Sequence, residues 1–76
     1  MTESEFIEIF ADNLDSILTE SGIGQNQLAR EIGVDKGTIS NYVNKRRMPS
    51  LKIFLNICVA LGCSPDELIP LYEFIY

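Results

Sequence analysis

The sequence predicts an all-α fold: five short helices packed into one compact domain over residues 1–76. Three observations carry that prediction. Apolar residues recur at spacings of three, four and seven through most of the chain. Helix-start and helix-stop residues punctuate it at short intervals. No segment alternates apolar and polar residues long enough to read as a strand, and only the apolar tail 70–76 comes near that pattern.

The elements follow in order. Phe6, Ile7, Ile9, Phe10, Leu14, Ile17 and Leu18 line one side of a first amphipathic helix. Thr2 with Glu5, or Ser4 alone, can cap its start, and Gly22 ends it. Ile23 follows as a core plug. Gln25 to Ile32 is a short second helix with Gly24 as a permissible N-cap, Leu28, Ala29 and Ile32 as its inner stripe, and Gly33 as its stop. Asp35 is placed to cap a third helix from Lys36 to about Asn44, held inward by Ile39, Tyr42 and Val43. Ser50 caps a fourth helix that runs to Leu61 and stops at Gly62. The segment Ser64-Pro65-Asp66-Glu67 has the form of a capping box with proline in the first helical position, and it starts a fifth helix of about one turn, limited by Pro70.

Length and composition narrow the function classes. A chain of 76 residues with 46% hydrophobic residues is one small globular domain. No 18-residue apolar run is present, so no membrane span is expected. No basic segment followed by an apolar stretch opens the chain, so no secretory signal is expected either. The opening Met1 reads as the start of a complete small protein. The chain has no His and two Cys, which removes His-based acid–base chemistry and most zinc sites. Cys58 and Cys63 lack the spacing of a redox pair, lie in an apolar stretch, and read as reduced core residues of a cytoplasmic protein. Glu8, Asp12 and Asp15 share one face of the first helix, but no cation or glycine-rich loop accompanies them in the sequence. They read as a solvated face. Asp66 and Glu67 are explained by the helix start they occupy. The expectation is therefore no enzyme, no metal, no cofactor and no small-molecule ligand.

Net charge is −5, which alone argues against a polyanionic partner. The distribution argues the other way. All six cations, Arg30, Lys36, Lys45, Arg46, Arg47 and Lys52, lie between residues 30 and 52, opposed there by Glu31 and Asp35 alone. Charge asymmetry, more than net charge, governs contact with a polyanion. A bare Lys45-Arg46-Arg47 run is ordinarily a solvated loop, and its context decides otherwise. The outer face of the third helix carries Lys36, Gly37, Thr38, Ser40, Asn41 and Asn44. It is polar but nearly uncharged, and rich in amides and hydroxyls where a solvated face would carry Glu and Lys. The small Ala29, four residues before Gly33, lets two helices cross steeply over a short turn. That packing turns the outer face of residues 36–44 toward solvent, as a reader of the DNA major groove requires. An αα-hairpin with no DNA role fits the spacing too.

Taken together, Gln25, Leu28-Ala29, Gly33-Val34, Thr38-Ile39-Ser40, Tyr42, Asn44, Pro49-Ser50-Leu51, Ile57, Ala60-Leu61-Gly62, Ser64 and Asp66-Glu67-Leu68 resemble the lambda-repressor-like helix-turn-helix family. That family holds phage Cro and repressor domains and bacterial regulators of the xenobiotic-response-element type. The resemblance covers residues 6–70 and implies a bacterial or phage origin. It implies a five-helix DNA-binding domain whose second and third helices form the helix-turn-helix. It also implies a sequence-specific transcriptional regulator of double-stranded DNA, a repressor or autoregulator. Lys36 and Gly37 match the first base-reading positions and Asn41 another, with Thr38 and Ser40 as base or phosphate neighbours. Gln25, Asn44, Lys45, Arg46 and Arg47 match positions that hold the DNA backbone. The chemistry agrees: Lys36 can donate to guanine O6 and N7, and Asn41 can pair with adenine N6 and N7.

Three features depart from the family pattern. An Arg–Glu pair common in the family is replaced by Leu18 and Val43, so no buried charge is orphaned. The glycine common after the third helix is replaced by Lys45, which suggests that Asn44 takes the left-handed cap. The acidic termini should repel DNA outside the footprint.

The fourth helix is expected to turn Leu51, Phe54, Ile57, Cys58 and Leu61 inward. Ile53, Leu55 and Val59 are then surplus, and with Tyr72, Phe74, Ile75 and Tyr76 they exceed what one small core hides. Two readings stay open. The tail folds back over its own core, or it builds a homodimer interface with Ile53 and Val59. The alternative function on the same fold is a protein-interaction module, such as an antitoxin or the partner of another regulator.

Overall fold

A computed structural model describes residues 2–70. Met1 and residues 71–76 lie outside the described residues, and with them the interface expectation for Tyr72, Phe74, Ile75 and Tyr76.

The five expected helices are present: α1 (Glu3–Ser21), α2 (Gln25–Ile32), α3 (Lys36–Val43), α4 (Leu51–Leu61) and α5 (Pro65–Leu68), with no strand among the described residues. The expected third and fifth helices each lose their last residue, because Asn44 and Ile69 serve as C-caps. α2 packs on α3 and α4, and α1 on α3 and α5. Phe10, Leu14, Leu28, Ile39, Ile57 and Leu68 are wholly buried, drawing one or two side chains from every helix. Phe10 stands between three elements. Its ring meets Tyr42 of α3 edge-on, with centroids 6.1 Å apart, and Phe54 of α4 at a tilt, 6.0 Å apart. Such aromatic pairs each add about 0.5–1.5 kcal/mol beyond the area they bury. Phe10 thus fixes α3 against the rest of the domain.

Leu18 is buried and Val43 packs against the same core, so the positions of the family's Arg–Glu pair hold apolar packing here. A contact the sequence pattern did not reveal closes the far end. The Asn13 amide on α1 donates to the Leu68 carbonyl at 2.8 Å. That carbonyl, at the last turn of α5, has no helical partner of its own.

α4 departs from expectation at its start. Leu51 is 73% exposed. It leads a stripe with Leu55 and Val59, each four residues on, while Phe54, Ile57, Cys58 and Leu61 turn toward the core. Val59 is 82% exposed, whereas Ile53 is half-buried and packs against the core. Both cysteines are free thiols. Burial pushes Cys58 up and Cys63 up to about 11, so neither is a thiolate nucleophile at neutral pH.

Candidate nucleic-acid interface

The two helices joined by the Gly33 turn start without side-chain caps. Gly24 has no side chain to offer α2. Asp35 stands in the N-cap position of α3 with extended backbone, yet its carboxylate makes no cap hydrogen bond. Gly33 itself has φ 75°, and the Val34 amide donates to the Ala29 carbonyl at 2.9 Å, which closes the turn between them.

The sequence-expected reading residues all sit on α3. Lys36 and Gly37 are exposed, and Thr38, Ser40 and Asn41 are half-buried along the same helix. A Cβ built on Gly37 would meet nothing within 4 Å. The fold itself therefore does not demand glycine there, although glycine inside a helix costs about 0.5–1 kcal/mol relative to alanine. Ser40 and Asn44 are coupled to each other. The Asn44 amide donates to the Ser40 carbonyl at 2.9 Å and to its hydroxyl oxygen at 3.1 Å. The Ser40 hydroxyl keeps its own proton to donate. Gln25 is half-buried at the first position of α2.

The exit from α3 differs from expectation. Asn44 has φ −90°, and Lys45 takes the left-handed conformation with φ 64°. The Lys45 amide donates to the Tyr42 carbonyl at 3.2 Å, and the Arg46 amide to the Asn41 carbonyl at 2.8 Å. These two bonds form a Schellman end, and its geometry requires the left-handed residue one place after Asn44. α1, α2 and α4 put a glycine with positive φ at that place.

Lys45 also answers for the acidic face of α1. Its ammonium lies 3.2 Å from Asp12 Oδ1 and 3.6 Å from Glu8 Oε1. The sequence shows no cation beside those acids because Lys45 reaches them only through the fold. The hydrogen bond to Asp12, and the charges of both acids, hold the lysine above its ordinary range. Among the described residues these are the ion pairs, so the exposed Arg46 and Arg47 form none. Arg47 lies near enough to Tyr42 to oppose the upward push that burial gives its phenol. No group of three metal-ligating side chains occurs among the described residues.

This geometry is a helix-turn-helix displayed on a five-helix scaffold. The chain belongs to the family whose model, described as Helix-turn-helix, matches residues 14–68. It is the lambda-repressor-like type, whose members are DNA-binding transcription regulators. The restriction-modification controller protein C.AhdI from Aeromonas hydrophila is 28% identical. That match covers 83% of this chain and 96% of the controller, with a TM-score of 0.78. The clp gene regulator ClgR from Corynebacterium glutamicum is 25% identical over 84% of this chain and 68% of its own, with a TM-score of 0.80. A hypothetical transcription factor NHTF from Neisseria shares the fold at 24% identity and a TM-score of 0.79, covering 91% of this chain and 80% of its own. No curated protein matches the chain. No helix among the described residues is long and apolar enough to cross a membrane.

Proposed function

We propose that this protein is a sequence-specific double-stranded DNA-binding regulator that seats α3 in the major groove and represses transcription by occluding a promoter. The observation that carries this reading is the shared location of three features. The amide- and hydroxyl-rich face of α3, the uncapped starts of α2 and α3, and the unpaired Arg46 and Arg47 all belong to the helix-turn-helix and its exit. Lys36, Gly37, Thr38, Ser40 and Asn41 face the base edges. Gln25, Asn44 and the loop that follows α3 lie along the phosphates, with Arg46 and Arg47 able to grip them bidentately. The regulator works in the cytoplasm, as a homodimer on a two-fold site, without cofactor or small-molecule ligand. Its family holds transcription regulators, and no part of this reading calls for catalysis.

Selection from a randomised duplex library at about 100 mM salt, where phosphate contacts still contribute, tests this. Enrichment of a palindrome is the expected result, with half-sites about 34 Å apart for a two-fold dimer. Asn41→Ala should then relax preference at one base position, at a cost of about 1–3 kcal/mol. A folded protein that enriches no sequence would overturn the proposal. It would favour a protein-interaction module, for which the exposed stripe of Leu51, Leu55 and Val59 on α4 is the specific support.

A further inference from the structure

Lys45 stands in a basic run of three, but its surroundings set it apart from the other two. We infer that Lys45 is not a phosphate ligand but a positioning residue: an intramolecular counter-ion at the surface that pairs with Glu8 and Asp12 of α1 and anchors the loop from which Arg46 and Arg47 reach the DNA backbone. The inference rests on the DNA-binding reading above.

Three observations carry it. First, the ammonium lies between two carboxylates one helical turn apart on α1, 3.2 Å from one and 3.6 Å from the other. A single phosphate offers one negative charge where this site offers two. Second, the backbone at Lys45 is fixed on both sides. Its own amide is bonded to Tyr42 and that of Arg46 to Asn41, so the side chain leaves the loop from a set point. The residue holds a left-handed conformation that glycine adopts without steric cost, while glycine has no ammonium to give α1. Third, the exchange is electrostatically unfavourable. Moving Lys45 to a phosphate would leave two uncompensated carboxylates beside the same DNA backbone. Keeping it in place leaves Arg46 and Arg47, whose planar guanidinium groups fit phosphate oxygens better than an ammonium does.

The experiment is a set of salt titrations of the full chain on its selected duplex. Each phosphate contact contributes about 0.9 to the slope of log affinity against log salt. Arg46→Gln should flatten the slope by about 0.9. Lys45→Gln should leave it within about 0.3 of the natural protein's, weakening binding by a similar factor at every salt concentration. In a Glu8→Gln, Asp12→Asn background the lysine is released. There Lys45→Gln should flatten the slope by about 0.9, a dependence that a merely structural role would not produce. Lys45→Arg should restore natural affinity and slope. A flattening of about 0.9 by Lys45→Gln in the natural background would overturn the inference. An intermediate slope would equally overturn it, because it would mean a shared contact. Failure of the DNA-binding reading is separately visible as no salt-dependent binding by the natural protein. A DNA-free arm then decides the ion pair itself. Glu8→Gln with Asp12→Asn should shift the side-chain ammonium resonance of Lys45 in a nitrogen NMR spectrum, and no shift would refute the anchoring.

Discussion

The helix starts of this protein fall into two sets. At α1 the Thr2 hydroxyl accepts from the Glu5 amide at 3.2 Å, and at α4 the Ser50 hydroxyl accepts from the Ile53 amide at 3.3 Å. At α5 the Glu67 carboxylate accepts from the Ser64 amide at 2.8 Å. α2 and α3, the two helices of the helix-turn-helix, have no such bond. The first N–H groups of any helix lack intrahelical partners, and together with the helix dipole they favour an anion. Each scaffold helix satisfies one amide at its start with a side chain. The two helices of the helix-turn-helix place no side chain there: at α3 the Thr38 amide turns instead to the Asp35 carbonyl at 3.0 Å, and the proposed phosphate contact would fall on the N–H groups ahead of it. Side-chain caps thus occur at the starts of the scaffold helices and are missing at the starts of the helix-turn-helix pair.

The sharpest way to break this division is to remove what joins its halves. Phe10 belongs to the scaffold, yet its ring packs against Tyr42 on α3 and Phe54 on α4. Phe10→Ala should cost about 3–5 kcal/mol, a large share of what so small a domain possesses. Chemical denaturation should show all helices melting together at lower denaturant. A variant that kept α3 and DNA binding while losing α1 would show that the helix-turn-helix folds independently.

Ser50→Ala tests the scaffold set alone. It removes a cap hydroxyl at the start of α4 and should cost about 1 kcal/mol in thermal or denaturant unfolding. The slope of DNA affinity against salt should stay unchanged. A changed slope would mean that the start of α4 also meets the backbone, and the division between the two sets would fall.

Much of this is legible in the sequence. The helix positions are readable because glycine, proline and capping residues act locally: Gly22, Gly33 and Gly62 each end a helix with a positive φ. The polar outer face of α3 is legible because it lies opposite the Ile39 and Tyr42 stripe. Of the features that are not, three show why. Lys45 meets Glu8 and Asp12 across more than thirty residues, and no local rule pairs them. Leu51 fits an inward stripe by spacing, but the core does not extend to the first residue of α4, so it stands in solvent. Chemical type points to Asn44 as the left-handed residue after α3. Its place is set instead by the register of the Schellman hydrogen bonds, which falls on Lys45. Local patterns report local energetics: the first two exceptions arise where the tertiary arrangement sets the outcome, and the third where backbone hydrogen-bond register overrides residue type.

The smallest effect on stability gives the most direct reading of the division itself. Gly24 has extended backbone with φ −80°, and a Cβ added there meets nothing within 4 Å. Aspartate can therefore enter without strain and close the open start of α2 with its own carboxylate. The gain over glycine as a cap is a few tenths of a kcal/mol, with a further contribution of about 0.3–1 kcal/mol from charge at the positive end of the helix. Gly24→Asp should thus raise the unfolding midpoint slightly while weakening DNA binding. Its salt slope should flatten by about 0.9 if one phosphate is displaced. Gly24→Ser, which caps without charge, should share the stability gain and lose less affinity. Stabilisation with affinity intact in both variants would mean that the open end of α2 faces water in the complex, leaving α3 as the sole helix start turned toward DNA.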